Sequence, residues 1–174
     1  MPINKTVKIA AGILFFAAIF VSVKGYNIVI PVSQSRDILP DFKSKSGDTV
    51  SVFSKFDFTK DDWGAYIVIP SSDFVDLNSQ IPHRTCLKTT DRNLLQKMKH
   101  EWRFKITQGD VTSVESVFYL LKNGKTVFRS GIVLDTHSQV LQNCVYGEMM
   151  PVDKNAMINT CREFRNVYWP VVVF

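Results

Sequence analysis

Cysteine is scarce and late in this chain of 174 residues: there are three, Cys86, Cys144 and Cys161, and none directly follows the hydrophobic run near the N-terminus. That placement leaves no thiol for a bacterial lipid attachment. The loops that cradle phosphate, G-x-x-x-x-G-K-[ST] and G-x-G-x-x-G, are absent, as is the G-x-S-x-G elbow of serine hydrolases. Asp135, Thr136, His137 and Ser138 hold the residue types of a hydrolase triad, yet consecutive residues cannot converge on one another as the chemistry requires. The histidines are His83, His100 and His137, too far apart in sequence to form a ligand pair at helical or hairpin spacing. No cofactor and no metal is expected.

Clustered positive charge is lacking too. The formal net charge is +5, but Lys5, Lys8 and Lys24 lie in or beside the N-terminal hydrophobic run, and the remainder holds 18 basic against 16 acidic residues. Counterion release from nucleic acid needs a concentrated basic footprint, so a nucleic-acid partner is not expected. After Lys24 there is no N-x-[ST] glycosylation acceptor, which suits a bacterial origin better than a eukaryotic secreted one.

What the chain does have is a continuous apolar stretch from Ile9 to Val23, preceded by Lys5 and Lys8 and closed by Lys24. The positive-inside rule keeps the basic side cytoplasmic and sends the rest of the chain across the membrane. As a helix, 15 residues rise only about 22 Å against a hydrocarbon core of about 30 Å, which favours a cleavable signal peptide. The small-residue site Val23-Lys24-Gly25 is a poor one for cleavage, however, and Lys24 and Tyr26 suit interfacial anchoring. Residues 1–30 therefore read as a signal peptide or an N-terminal membrane anchor, with the membrane contacted through residues 9–23. Residues 31–48 contain two prolines, four serines and a glycine, the composition of a tether.

The folded part is expected over residues 49–174, on the periplasmic side of the inner membrane or released into the periplasm. Val50, Val52 and Phe56 alternate with polar residues and predict a strand over 49–56, with a second from Trp63 to Ile69 ending at Pro70. Residues 70–90 show little periodicity and read as a long loop. Asp91 is placed to cap a helix carrying Leu94, Leu95 and Met98, and Asp153 one carrying Ile158 and Cys161. Asn123-Gly124 between two apolar runs predicts a β-hairpin, because a type I′ turn needs φ > 0 at both central positions. A two-residue turn sets Lys122 opposite Lys125, Leu120 opposite Val127 and Phe118 opposite Arg129. Tyr119, Leu121, Phe128 and Ile132 then share the other face, and a hairpin apolar on both faces needs cover on both. Strands over Gln139–Tyr146 and Val167–Phe174 complete an α+β fold: a single small domain with an antiparallel β-sheet and two short helices, preceded by an N-terminal hydrophobic helix.

In an oxidising compartment, Cys144 and Cys161 are the expected disulfide, stapling the last helix to the preceding strand. Asp61, Asp62 and Trp63 form an acidic turn beside an aromatic anchor; together with His83 in the long loop they are the expected partner-binding residues. Trp102 and Trp169, at alternating strand positions, are expected in the core. The functional expectation is a non-enzymatic envelope protein that binds another envelope protein, as an inhibitor or immunity protein does against a toxin or hydrolase. The alternative is a membrane-anchored accessory subunit of a secretion or pilus assembly, and a second alternative is an envelope hydrolase drawing on His83, Cys86 or His137.

Overall fold

The structure is a computed structural model that describes residues 5–32, 46–107 and 115–174. Most of the expected tether, residues 33–45, lies outside the described residues. The chain opens with helix α1 (Lys5–Val23) and a short strand β1 (Ile28–Ile30), followed by β2 (Thr49–Val50) and β3 (Trp63–Val68). Strand β4 (Cys86–Thr89), helix α2 (Arg92–Glu101) and β5 (Phe104–Ile106) come next, then the hairpin of β6 (Val117–Lys122) and β7 (Lys125–Leu134). Strands β8 (Gln139–Asn143) and β9 (Gly147–Pro151), helix α3 (Lys154–Cys161), β10 (Arg165–Asn166) and β11 (Val171–Val173) complete it.

Nine strands form one antiparallel sheet in the order β10-β4-β3-β6-β7-β8-β9-β5-β2, and β1 pairs with β11 in parallel as a separate two-stranded ribbon. The fold is α+β on an antiparallel sheet, as the pattern of elements predicts. Asp91 and Asp153 cap α2 and α3 as expected, each carboxylate accepting from two backbone N–H groups of the first helical turn.

One face of the sheet carries the main core. Leu94, Leu95 and Met98 of α2 and Met157, Ile158 and Cys161 of α3 pack there with Phe118, Leu120, Phe128 and Ile132 of the hairpin. Phe53 stands at the centre, its ring 5.3–5.6 Å from those of Trp102, Phe118 and Phe128. The opposite face is smaller: Val172 and Phe174 of the ribbon cover Cys86, Tyr119 and Leu121, with the Phe174 ring 4.6 Å from Tyr66 and 4.9 Å from Tyr119. The doubly apolar hairpin is therefore covered on both sides, by helices and by the β1–β11 ribbon.

Several expectations are corrected. The strand predicted over 49–56 stops at Val50: Ser54 bonds back to the Ser51 carbonyl through both its N–H and its hydroxyl, turning the chain so that Val52, Phe53 and Phe56 all point inward. The loop expected over 70–90 contains a 3-10 turn at Ser71–Val75 and the sheet strand β4. The apolar run expected as one strand over Gln139–Tyr146 stops at Asn143, whose side chain accepts from the N–H groups of Val145 and Tyr146 and starts the turn into β9. Of the last predicted strand, Val167–Phe174, only β11 forms, beginning directly after Pro170, while the short β10 lies just before the predicted range. The Cys144–Cys161 bridge is not formed, because Cys144 is exposed on the β8–β9 turn while Cys161 points into the main core.

The hairpin turn is where it was expected, with Asn123 at φ 50° and Gly124 at φ 74°, and Lys122 faces Lys125. A bulge at Leu120/Leu121 then shifts the register by one residue: Leu121 pairs with Thr126, Leu120 with Phe128 and Phe118 with Ser130. The shift moves Phe128 and Ile132 onto the face of Phe118 and Leu120, leaving Tyr119 and Leu121 opposite. A Cβ on Gly124 would meet nothing within 4 Å, so the cost of replacing it is purely conformational. Gly124→Val is expected to lose about 1–2 kcal/mol in urea unfolding; an unchanged midpoint would show that the turn tolerates a β-branched residue.

Candidate functional site

Helix α1 ends in a motif that its sequence specifies. Gly25, at φ 101°, donates its N–H to the Ser22 carbonyl, and Tyr26 N–H bonds the Val21 carbonyl, the paired bonds of a Schellman cap. That end is not free of the domain. Arg84 is buried, and its Nη1 donates to the Ser22 carbonyl at 2.8 Å and to the Val167 carbonyl at 2.9 Å, while the guanidinium lies 4.4 Å from the Tyr168 ring centroid. A cation at this position also complements the negative end of the helix dipole. The Ser22 hydroxyl donates to the Tyr168 carbonyl, Thr85 N–H to the Gly25 carbonyl at 2.9 Å, and the Asn27 amide to the carbonyls of Val167 and Trp169 at 3.1 and 2.7 Å. Eight residues from three distant stretches of sequence thus hold the helix end against the domain.

Beside this clamp runs a groove of about 1020 Å³, between the ribbon and the β3–β4–β10 side of the sheet, lined by Tyr66, Lys88, Arg165, Trp169, Val171 and Val173 among others. The groove exists because the ribbon covers only part of that sheet face. On β11 the carbonyls of Pro170 and Phe174, and the Phe174 N–H, bond toward β1. Backbone groups alternate along a strand, so those of Val171 and Val173 point the other way, into the groove. Among the described residues this edge has no strand partner, and Val171 and Val173 are exposed on it. Two basic side chains line the opposite wall: Lys88, whose Nζ lies 5.2 Å from the Tyr66 ring centroid, and Arg165. The Asp91 carboxylate at the groove margin is already engaged in capping α2.

Of the expected partner-binding residues, Asp61 and Trp63 line one recess of about 360 Å³, which His83 does not join. Trp63 and His83 belong to opposite ends of β3: Trp63 pairs with Lys122 at one end, while at the other Val68 pairs with Cys86, next to the loop that carries His83. Six strand residues span about 20 Å. Trp63 is only 7% exposed; it packs edge-on against Phe58 and donates its indole N–H to the carbonyls of Asp57 and Lys60, as part of the main core cluster. The acidic turn latches the hairpin. Asp61 pairs with Lys122 at 2.7 Å and accepts from the Asn123 amide at 3.2 Å, and these two contacts hold its carboxyl below the usual range. Asp62 and Asn123 exchange bonds, Asp62 N–H to the Asn123 side chain and Asn123 N–H to the Asp62 carbonyl. The His83 ring is exposed and stands edge-on to Phe74, 5.8 Å away.

Cys86 is buried with Tyr119, Leu121, Val172 and Phe174, and that burial pushes its thiol up to about 12, away from the thiolate form a nucleophile needs. A second recess, of about 420 Å³, gathers Asp73, Asp76, Glu115 and Asp135, where burial raises the Asp135 carboxyl and its acidic neighbours add to the effect. Among the described residues, no group of three or more His, Cys, Asp or Glu side chains is arranged to hold a metal.

Sequence reasoning missed Arg84, Asn27 and the 168–169 segment. The signal was Tyr168-Trp169-Pro170: a proline directly after two aromatics inside an apolar run marks a strand break that leaves them outside the sheet. Trp169, expected in the core, is 75% exposed, whereas Trp102 is 1% exposed, as expected of a core residue. No protein-family model, curated protein or solved structure matches the chain.

Proposed function

We propose that this is a membrane-anchored, non-enzymatic binding protein of the bacterial envelope, which holds an extended segment of a protein partner along the outward edge of β11. The observation that carries the reading is the clamp: an apolar helix whose last turn is built into the domain, beside an open strand edge. Helix α1 is 19 residues long, about 28 Å, four residues longer than the apolar run and near the thickness of a hydrocarbon core. Lys5 and Lys8 fit its N-terminal end by snorkelling. Cleavage after Gly25 would discard Ser22 and Gly25, which receive bonds from Arg84 and Thr85. Retention of the helix favours the accessory-subunit reading over a released inhibitor; an immunity-type protein acting at the membrane surface uses the same geometry.

A strand added to β11 would bond the outward groups of Val171 and Val173 and cover the exposed sheet face, the mode of β-augmentation. Lys88 and Arg165 favour a segment that alternates apolar and acidic residues. The test places a photo-crosslinking amino acid at Val173 and, as a control, at Lys125 on the distant hairpin tip, in cells making the full chain. One envelope protein captured from position 173 and not from 125, in membranes holding the protein at full mass, is the expected result. Equal capture at both positions rejects the groove; a mature protein lacking about 25 N-terminal residues rejects the anchor.

A further inference from the structure

The geometry points to a lipid contact beyond the helix itself: Tyr26, Tyr168 and Trp169 form an aromatic collar that lies in the headgroup layer and fixes the tilt of the domain over the membrane. The inference rests on the reading of α1 as a retained membrane anchor. Tyr26 follows the helix cap directly, and the other two residues come from the far end of the chain. The Tyr168 carbonyl is hydrogen-bonded to Ser22 in the last turn of α1, and the Trp169 carbonyl to Asn27, so both rings are held beside the point where the apolar helix ends. All three side chains are exposed, Tyr168 at 67% and Trp169 at 75%. Phe20, Val21 and Val23 near the end of α1 are exposed as well, so the apolar side chains of the anchor run up to the turn that carries the collar.

Tryptophan and tyrosine are enriched where membrane meets water, because each ring joins an apolar body to a polar tip. Two exposed aromatics whose backbone carbonyls are held by Ser22 and Asn27 at the end of the apolar helix suit that layer. Lys24 lies at the same level, its Nζ 5.7 Å from the Phe20 ring centroid, where an ammonium can meet lipid phosphate while its stem lies along apolar surface. A helix alone leaves a domain free to swivel about its exit. A second contact off the helix axis removes that freedom, and the Arg84 clamp makes the two contacts one rigid unit.

The tryptophans make the inference directly measurable. Trp63 and Trp102 are 7% and 1% exposed, so Trp169 is the one of the three that lipid can reach. Full-length protein is reconstituted into phosphatidylcholine vesicles whose acyl chains carry bromine either near the headgroup or near the chain end, and tryptophan emission is compared with that in unbrominated vesicles. The expected result is a loss of about a third of total emission, one tryptophan of three, with the shallow bromine and a smaller loss with the deep one. Trp169→Phe should abolish the loss while leaving vesicle flotation unchanged. Protein that floats with the vesicles but shows no quenching overturns the collar and spares the anchor. Protein that does not float overturns the anchor, and the collar with it.

Discussion

Phe53→Ala is expected to cost about 3–5 kcal/mol, the range for removing a large aromatic from a core that cannot fully collapse. Phe53 has no exposed surface and touches aromatic rings on three sides: Trp102 after α2, and Phe118 and Phe128 from the two strands of the hairpin, with Phe56 tilted at 6.2 Å. These neighbours belong to different elements, so none can move into the void without dragging its own strand or helix. A loss of that size is a large share of the 5–15 kcal/mol by which most domains are stable. Urea unfolding of the wild type, Phe53→Leu and Phe53→Ala should give a graded series, the leucine variant losing less. A loss below 1 kcal/mol for the alanine would mean that the turns over 52–56 are only loosely attached to the sheet.

Arg84→Ala should cost about 1.5–3 kcal/mol, the range for hydrogen bonds to a charged group. It strips one cation from two carbonyls and from the face of Tyr168. The effect should also be local. Hydrogen exchange at the amides of Asn27 and Thr85, which bond across the clamp, should quicken, while that of β6 and β7 keeps its protection. Arg84→Lys is not a conservative change here, because an ammonium cannot bridge two carbonyls and lie flat on a ring at once; it should recover only part of the loss. Uniformly faster exchange throughout the domain would instead make Arg84 a general stability residue and leave the clamp without support.

How much of this was legible in the sequence depends on the range of the interactions. Asp91 and Asp153 cap helices through their own neighbours, and Asn123-Gly124 turns a hairpin by its own backbone preference, so both kinds of feature could be read from a few residues. The bulge at Leu120/Leu121 could not. A one-residue slip shows in a sequence only when it would bury a polar side chain, and this hairpin is apolar on both faces. Trp63 lies deeper than its acidic surroundings suggest for a similar reason: Asp61 is drawn to Lys122 and Asn123, some sixty positions away, and the ring packs into the core. The groove was invisible because β1 and β11 make it jointly, and neither three-residue strand announces its partner. Arg84, in a stretch that reads as loop, gives no hint that its guanidinium joins residues 22 and 167.

The parallel pairing of Ile28 with Val171 also sets an order of events. Strand β1 leaves the ribosome early, yet its partner does not exist until Val171 has been made. Bringing them together closes a very long loop, a step whose entropic cost is repaid only once the sheet between them has formed. The clamp at the end of α1, which draws on residues 167–169, likewise cannot close until that stretch has been made. On the proposed reading of α1 as an anchor and of β11 as a docking edge, closure of the ribbon comes last, and the docking edge exists only in chains whose sheet has already folded.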